Sequence, residues 1–147
     1  MNLNIEDIKK LIPHRKPFLF IEECKIIEKG TIGESFRTFY EDEYFFEGHF
    51  PNNPIVPGVV IIEAMAQTAG VVVSNSLTKD KNKSVLFMSI NKAKFRKPVF
   101  PNYKIRFFVQ MLNKKRNVYK FFGQAYHEEI LVSESEFSAM ITDSNIL

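Results

Sequence analysis

Residues 57–77 read PGVVIIEAMAQTAGVVVSNSL, and how this stretch folds decides the fold of the chain. It has the length of roughly five helical turns. Apolar side chains cover nearly every side of it, which is the pattern of a helix buried all round. Pro57 suits a first helical position, where its missing N–H loses no intrahelical bond. Two polar residues interrupt the run, Glu63 and Gln67, four apart and so on one face. A buried carboxylate without a partner is costly, so Glu63 must be paired, neutral or put to use.

Immediately upstream, Glu47 to Gly58 holds three prolines, two glycines and two asparagines. That composition predicts a long ordered loop, the kind of segment that often carries function. Farther upstream, NIEDIKKLI (4–12) is apolar at 5, 8, 11 and 12, which is helical spacing, and Pro13 ends it. PFLFIEECKIIEKG (17–30) reads as a strand, with Gly30 and Gly33 turning the chain into ESFRTFY (34–40).

Downstream the chain reads as β-structure. In YKIRFFVQML (103–112), Tyr103, Ile105, Phe107, Val109 and Met111 fall on one face by period-two alternation. NKKRN (113–117) is a hairpin turn into VYKFFGQAYH (118–127), and HEEI (127–130) turns into LVSESEFSAMIT (131–142). One long buried helix with several antiparallel strands predicts a single α+β domain over 1–147, its sheet wrapped around the helix. Such a sheet keeps free edges, and these invite a second copy.

Composition narrows the function. The chain of 147 residues is 45% hydrophobic and 25% charged, values that fit a soluble globular protein. Its 15 phenylalanines and no tryptophan predict an aromatic-rich core. Twenty basic against 17 acidic residues leave a net charge of +3, too balanced for a nucleic-acid binder. The one cysteine, Cys24, excludes an intrachain disulfide and a cysteine-rich zinc site, fits a reducing compartment, and reads as a small buried or half-buried side chain. The first 18 residues hold no uninterrupted apolar segment, and the apolar run Val59–Val73 is short for a bilayer span. A cytoplasmic protein without membrane insertion is expected.

Chemistry is suggested by GHFPNNPIVPGVVIIEA (48–64), where His49 precedes Glu63 by fourteen residues. Burial disfavours the charged form of a carboxylate, and a carboxyl kept neutral can hand over a proton. Histidine titrates in the range useful for a base. An acid and a base on either side of a substrate can remove a proton from one carbon and release a hydroxyl from the next, which is dehydration. The first-turn amides near Gly58 and Val59 lack intrahelical acceptors and could hold a thioester carbonyl as in an oxyanion hole, with glycine permitting close approach. The plainer alternatives are a structural loop histidine and a solvated helix glutamate.

These residues resemble a known family. FFEGHFPNNPIVPGVVIIEAMAQTAG (45–70) is similar to the core motif of the (3R)-hydroxyacyl-[acyl-carrier-protein] dehydratases of bacterial type II fatty acid synthesis, which have the hotdog fold. LIPHRKPFLFIEE (11–23) and INKAKFRKPVFP (90–101) match their flanking motifs in the right order. The resemblance implies that His49 and Glu63 are the catalytic pair, contributed by different subunits of a homodimer that assembles as a trimer of dimers. It places the carbonyl-binding amide at Gly58 and substrate contacts at Phe50, Pro57, Val59 and Gln67. It implies no metal or organic cofactor, and acyl carrier protein as partner. A related dehydratase–isomerase branch uses aspartate at the glutamate position, so Glu63 points to the dehydratase proper. Which of His49 and Glu63 is the base stays open. The chain departs from the family pattern at Glu22-Glu23, at Ser89 and at Asn102-Tyr103, which leaves room for a specialised pathway other than bulk membrane lipid.

Lys92, Lys94 and Arg96 alternate along a strand with Lys97 beside them, either a solvated face or a landing site for the acidic carrier. His14 and Arg15 are expected to be structural and His127 solvated. A hotdog thioesterase is the competing enzyme, but it leaves the GHFP histidine without a task. A non-catalytic acyl binder gains nothing from burying two polar residues.

Overall fold

The computed structural model describes residues 1–77 and 83–143, so the expected domain over 1–147 extends beyond them. The strands are β1 (Asn2–Leu3), β2 (Glu23–Glu28), β3 (Ile32–Thr38), β4 (Lys83–Phe95), β5 (Lys104–Lys115), β6 (Val118–His127) and β7 (Ile130–Asp143). Helix α1 spans Ile5–Leu11, helix α2 spans Gly58–Ser76, and a 3-10 turn covers Tyr44–Phe46. All the strands join one seven-stranded sheet in the order β1-β2-β3-β5-β6-β7-β4, and every neighbouring pair is antiparallel. The architecture is the expected hotdog: an antiparallel sheet around one long central helix, with the short α1 as the second.

Local sequence explains the boundaries. Asn4 caps α1 through a reciprocal capping box with Asp7, and Pro13 prevents its extension. The turn between β5 and β6 is made by Arg116 and that between β6 and β7 by Glu128, both with positive φ. Along β5, Ile105, Phe107 and Val109 are fully buried, as the alternation requires. Phe107 lies opposite Ala125, and Phe121 opposite Phe137 with their rings stacked at 6.1 Å. Together with Phe20 and Phe39 they form the aromatic core.

Helix α2 is 19 residues, about 28 Å long, and from Val60 to Ser74 only Glu63 escapes full burial. Each buried Val or Ile there contributes about 1.5–3 kcal/mol relative to exposure. By length and hydropathy the helix could cross a bilayer, a correction to the shorter apolar run read from sequence, but it is packed inside the sheet. The packing is close. A Cβ on Gly33 of β3 would stand 2.4 Å from Val72 Cγ2, and Ser35 Oγ meets Thr68 Oγ1 at 2.6 Å. Cys24 sits in the same interior, where burial and then the charge of Glu34 push its thiol up to about 12, so it is unreactive at neutral pH.

Three details differ from the sequence reading. Pro57 is the N-cap and not the first helical residue: its ψ of 136° is extended, while its carbonyl already accepts from Val60 and Ile61. The segment expected to open β2 at Pro17 joins the sheet only at Glu23, because residues 18–20 are tied to α2. The alternation of Lys92, Lys94 and Arg96 is broken by an irregularity between Asn91 and Lys94, where Lys92 has φ 53°. Two buried serines on β7 hold that bulge, Ser133 donating to the Lys94 carbonyl and Ser135 to that of Asn91.

Candidate active site

The loop before α2 positions His49. Its backbone amide donates to Phe45 O and its carbonyl accepts from Ile55 N, so both sides of the peptide are fixed. The imidazole stacks on Phe50 at 4.2 Å, and Nδ1 lies 2.9 Å from Ile55 O. A carbonyl can only accept, so Nδ1 carries a proton, and Nε2 is the ring nitrogen left without this backbone partner. His49, Ile55, Gly58, Val59, Phe95 and Lys97 are among the residues lining a cleft of about 390 Å³.

Gly58 is demanded by packing. A Cβ there would meet the Phe95 ring at 2.6 Å, so the glycine admits an aromatic ring over the helix start. The Pro57 carbonyl engages the amides of Val60 and Ile61, and Gly58 and Val59, whose first-turn amides have no intrahelical acceptor, line the cleft that holds His49. Positive helix-dipole character is concentrated at this end.

Glu63 is one turn farther in, its side chain 17% exposed. Gln67, fully buried, accepts from Phe20 N at 2.8 Å, which turns its amide NH₂ toward Phe18 O and Glu63 Oε2, each at 2.9 Å. His14 Nε2 lies 3.5 Å from the same Oε2. Sequence reasoning gave His14 no part here; the only signal was its place in a matched motif. Glu63 opens on an apolar pocket of about 490 Å³ walled by Phe18, Val59, Phe87, Ile90 and Phe95, a volume in the range of small-ligand sites.

Within one chain, then, His49 and Glu63 face two adjoining spaces that have Val59 and Phe95 as common walls. The chain gathers His49, Gly58 and Val59 into one, and Glu63 with Gln67 at the other. Of the basic residues, Lys92 pairs with Glu136 at 3.5 Å and Arg96 with Glu134, while Lys94 and Lys97 stand exposed. Among the described residues no three His, Cys, Asp or Glu side chains converge as metal ligands. Asn102 takes the left-handed turn with φ 71°, and the following Tyr103 stacks on His127 at 3.7 Å, so His127 is half-buried and not free in solvent. Glu22 receives Thr38 N and the Arg37 guanidinium, and lines neither of the spaces that His49 and Glu63 face.

Comparison with known proteins adds three findings. Residues 12–136 match the family model described as FabA-like domain. The chain is 41% identical over 146 residues to the 3-hydroxyacyl-[acyl-carrier-protein] dehydratase FabZ of a Nitratiruptor species, covering 96% of this chain and 99% of the relative. It is 42% identical to the protein of the same name from Campylobacter fetus subsp. fetus, again over 96% and 99%. Among solved structures, a chain of the dehydratase heterocomplex ApeI:P from Xenorhabdus doucetiae superposes with a TM-score of 0.73 over 94% of this chain and 92% of that one. At 13% identity this likeness concerns the fold alone.

Proposed function

The chain belongs to the FabA-like family, and from that premise we infer that it works as its curated relatives are named to work. It is a 3-hydroxyacyl-[acyl-carrier-protein] dehydratase, removing water from carrier-bound 3-hydroxyacyl chains in fatty acid biosynthesis. The finer reading is that a (3R)-hydroxyacyl thioester gives the trans-2-enoyl product, with His49 as base and Glu63 as acid.

The observation that carries the assignment is the Nδ1 contact of His49 with Ile55 O, which gives Nδ1 to the backbone and makes Nε2 the ring nitrogen that a substrate can meet. In the proposed step Nε2 takes the C2 proton, and electron density moves toward the thioester carbonyl, held by the Gly58 amide with Val59 beside it. The C3–O bond then breaks as Glu63 delivers its proton, and the hydroxyl leaves as water. His49 ends protonated and Glu63 ionised, so one proton must return from His49 to Glu63, through solvent or product water, before the next turnover. Gln67 fixes Glu63, and Phe50 and Pro57, chain neighbours of the cleft-lining His49 and Gly58, are read as further substrate contacts. The apolar pocket at Glu63 suits the acyl chain.

A homodimer is part of the proposal. Strand β4 bonds to β7 on one side only, and it exposes Leu86, Phe87, Met88, Ile90 and Phe95, five large apolar side chains on thirteen residues. A second copy laid along this edge would cover them and bring one subunit's His49 toward the other's Glu63. The trimer of dimers is carried over from the family resemblance, while the single domain over 1–147 and the cytoplasmic location rest on length, element pattern and composition.

The test is hydration run in reverse. Pure protein given a trans-2-enoyl thioester on acyl carrier protein is expected to consume the enoyl absorbance without liberating free thiol. Free thiol without hydration would favour a thioesterase and overturn the reading.

A second expectation concerns the carrier. Lys92 and Lys94 are exposed on β4, a few residues in sequence before Phe95 and Lys97, which line the cleft that holds His49. Reversing both to glutamate is expected to lower kcat/KM for the carrier-bound substrate and to flatten its salt dependence, while the same acyl group on free pantetheine is turned over as before. Equal losses on both substrates would assign these residues to the fold instead.

A further inference from the structure

His14 stands outside the acid/base pair, yet its Nε2 lies 3.5 Å from Glu63 Oε2, with only 13% of its side chain exposed. Among the described residues its Nδ1 is buried without a hydrogen-bond partner. A histidine retained to pin the backbone engages a carbonyl or amide with its ring, as His49 does with Ile55. Among the described residues the His14 ring has one polar contact, and that contact is Glu63. Leaving a buried ring nitrogen unpaired costs stability, which a phenylalanine in the same space would avoid. A phenylalanine could not donate a hydrogen bond to a carboxyl.

The surroundings fix which oxygen is engaged. Gln67 is oriented by Phe20 N and donates to Glu63 Oε2 at 2.9 Å. His14 approaches the same oxygen, so Oε1 remains to carry the proton that the substrate hydroxyl takes. The neighbouring cation does not compete: the Arg15 guanidinium is spent on the carbonyls of Lys9, Ile12 and His14.

We propose that His14 is a positioning residue for Glu63, its Nε2–H acting with the Gln67 amide to hold Oε2 so that Oε1 alone addresses the substrate. The inference rests on Glu63 being the acid. At 3.5 Å the contact is within ion-pair reach and longer than a formed hydrogen bond. Contacts of this kind in substrate-free sites tighten when substrate binds.

The experiment compares His14→Phe, which keeps a ring and removes the donor, with His14→Gln, which restores an N–H near the Nε2 position. Loss of one charge-assisted hydrogen bond in the transition state corresponds to about tenfold or more in rate. His14→Phe is therefore expected to lower kcat by that factor with KM and melting temperature little changed, and His14→Gln to recover most of it. Unchanged kcat in His14→Phe overturns the proposal, as does a folded His14→Gln that fails as badly. Nitrogen NMR of the His14 ring gives a second readout that does not depend on the phenylalanine variant folding. Nε2 is expected to be protonated and to shift when Glu63→Gln is introduced; an unmoved signal overturns the contact. Glu63→Gln is assayed alongside. If it turns over like wild type, the reading of Glu63 falls; if it is inactive while His14→Phe is normal, only the inference about His14 falls.

Discussion

Glu63→Gln and His49→Ala are each expected to lower dehydration by about 10²–10⁴-fold, the range a general acid or base contributes, while the protein stays folded. The two losses arise differently. Glutamine at 63 is isosteric, and its carbonyl oxygen can still accept from Gln67, whose own anchorage to Phe18 and Phe20 is untouched. What disappears is the transferable proton. Alanine at 49 removes the ring from a half-buried loop position, forfeiting the Ile55 contact and the stack on Phe50. Neither contact reaches the aromatic core, so the stability cost is about that of one hydrogen bond, near 1 kcal/mol. Enoyl hydration rates set beside thermal melting curves make the check. A folded Glu63→Gln protein with near wild-type turnover would remove Glu63 from the mechanism.

Mixing the two inactive variants is expected to bring activity back. If each site takes His49 from one copy and Glu63 from the other, a mixed dimer holds one site with both defects and one with neither. Random exchange of equal amounts makes about half the dimers mixed, so about a quarter of wild-type activity returns, far above either variant alone. The separation of His49 and Glu63 into adjoining spaces within a single chain motivates this expectation. Verified mixed dimers that stay inactive would place each complete site within one copy.

Much of this was legible because it is local. The helix declares itself by apolar residues on every side, β5 by alternation from Ile105 to Val109, and the end of α1 by Pro13. The polar pair Glu63 and Gln67 could be placed on one face from helical geometry alone. What stayed hidden depends on partners distant in sequence. Pro17–Ile21 carries strand-like residues, but Gln67, 47 positions beyond Phe20, ties Phe18 and Phe20 to the helix and keeps that part off the sheet. The bulge at Lys92 is held by Ser133 and Ser135 on another strand, so a period-two reading of the lysines could not foresee it. His14 reaches Glu63 only because α1 ends where it does, and no spacing rule relates positions so far apart. Nor could the pattern reveal that β3 pairs with β5 and sends β4 to the far edge.

The two borders of the sheet are unequal: β1 offers two residues and β4 offers thirteen. A chain with two long open borders could add copies head to tail without limit, as fibres do. Here a copy that joins through β4 has only a two-residue border left at its other end, too little for another ladder. Isologous pairing therefore closes on itself at two subunits, and any larger particle must grow through other faces. In the proposed dimer the brevity of β1 would serve as a stop against runaway polymerisation, and lengthening it, not altering β4, is the change that would remove the stop.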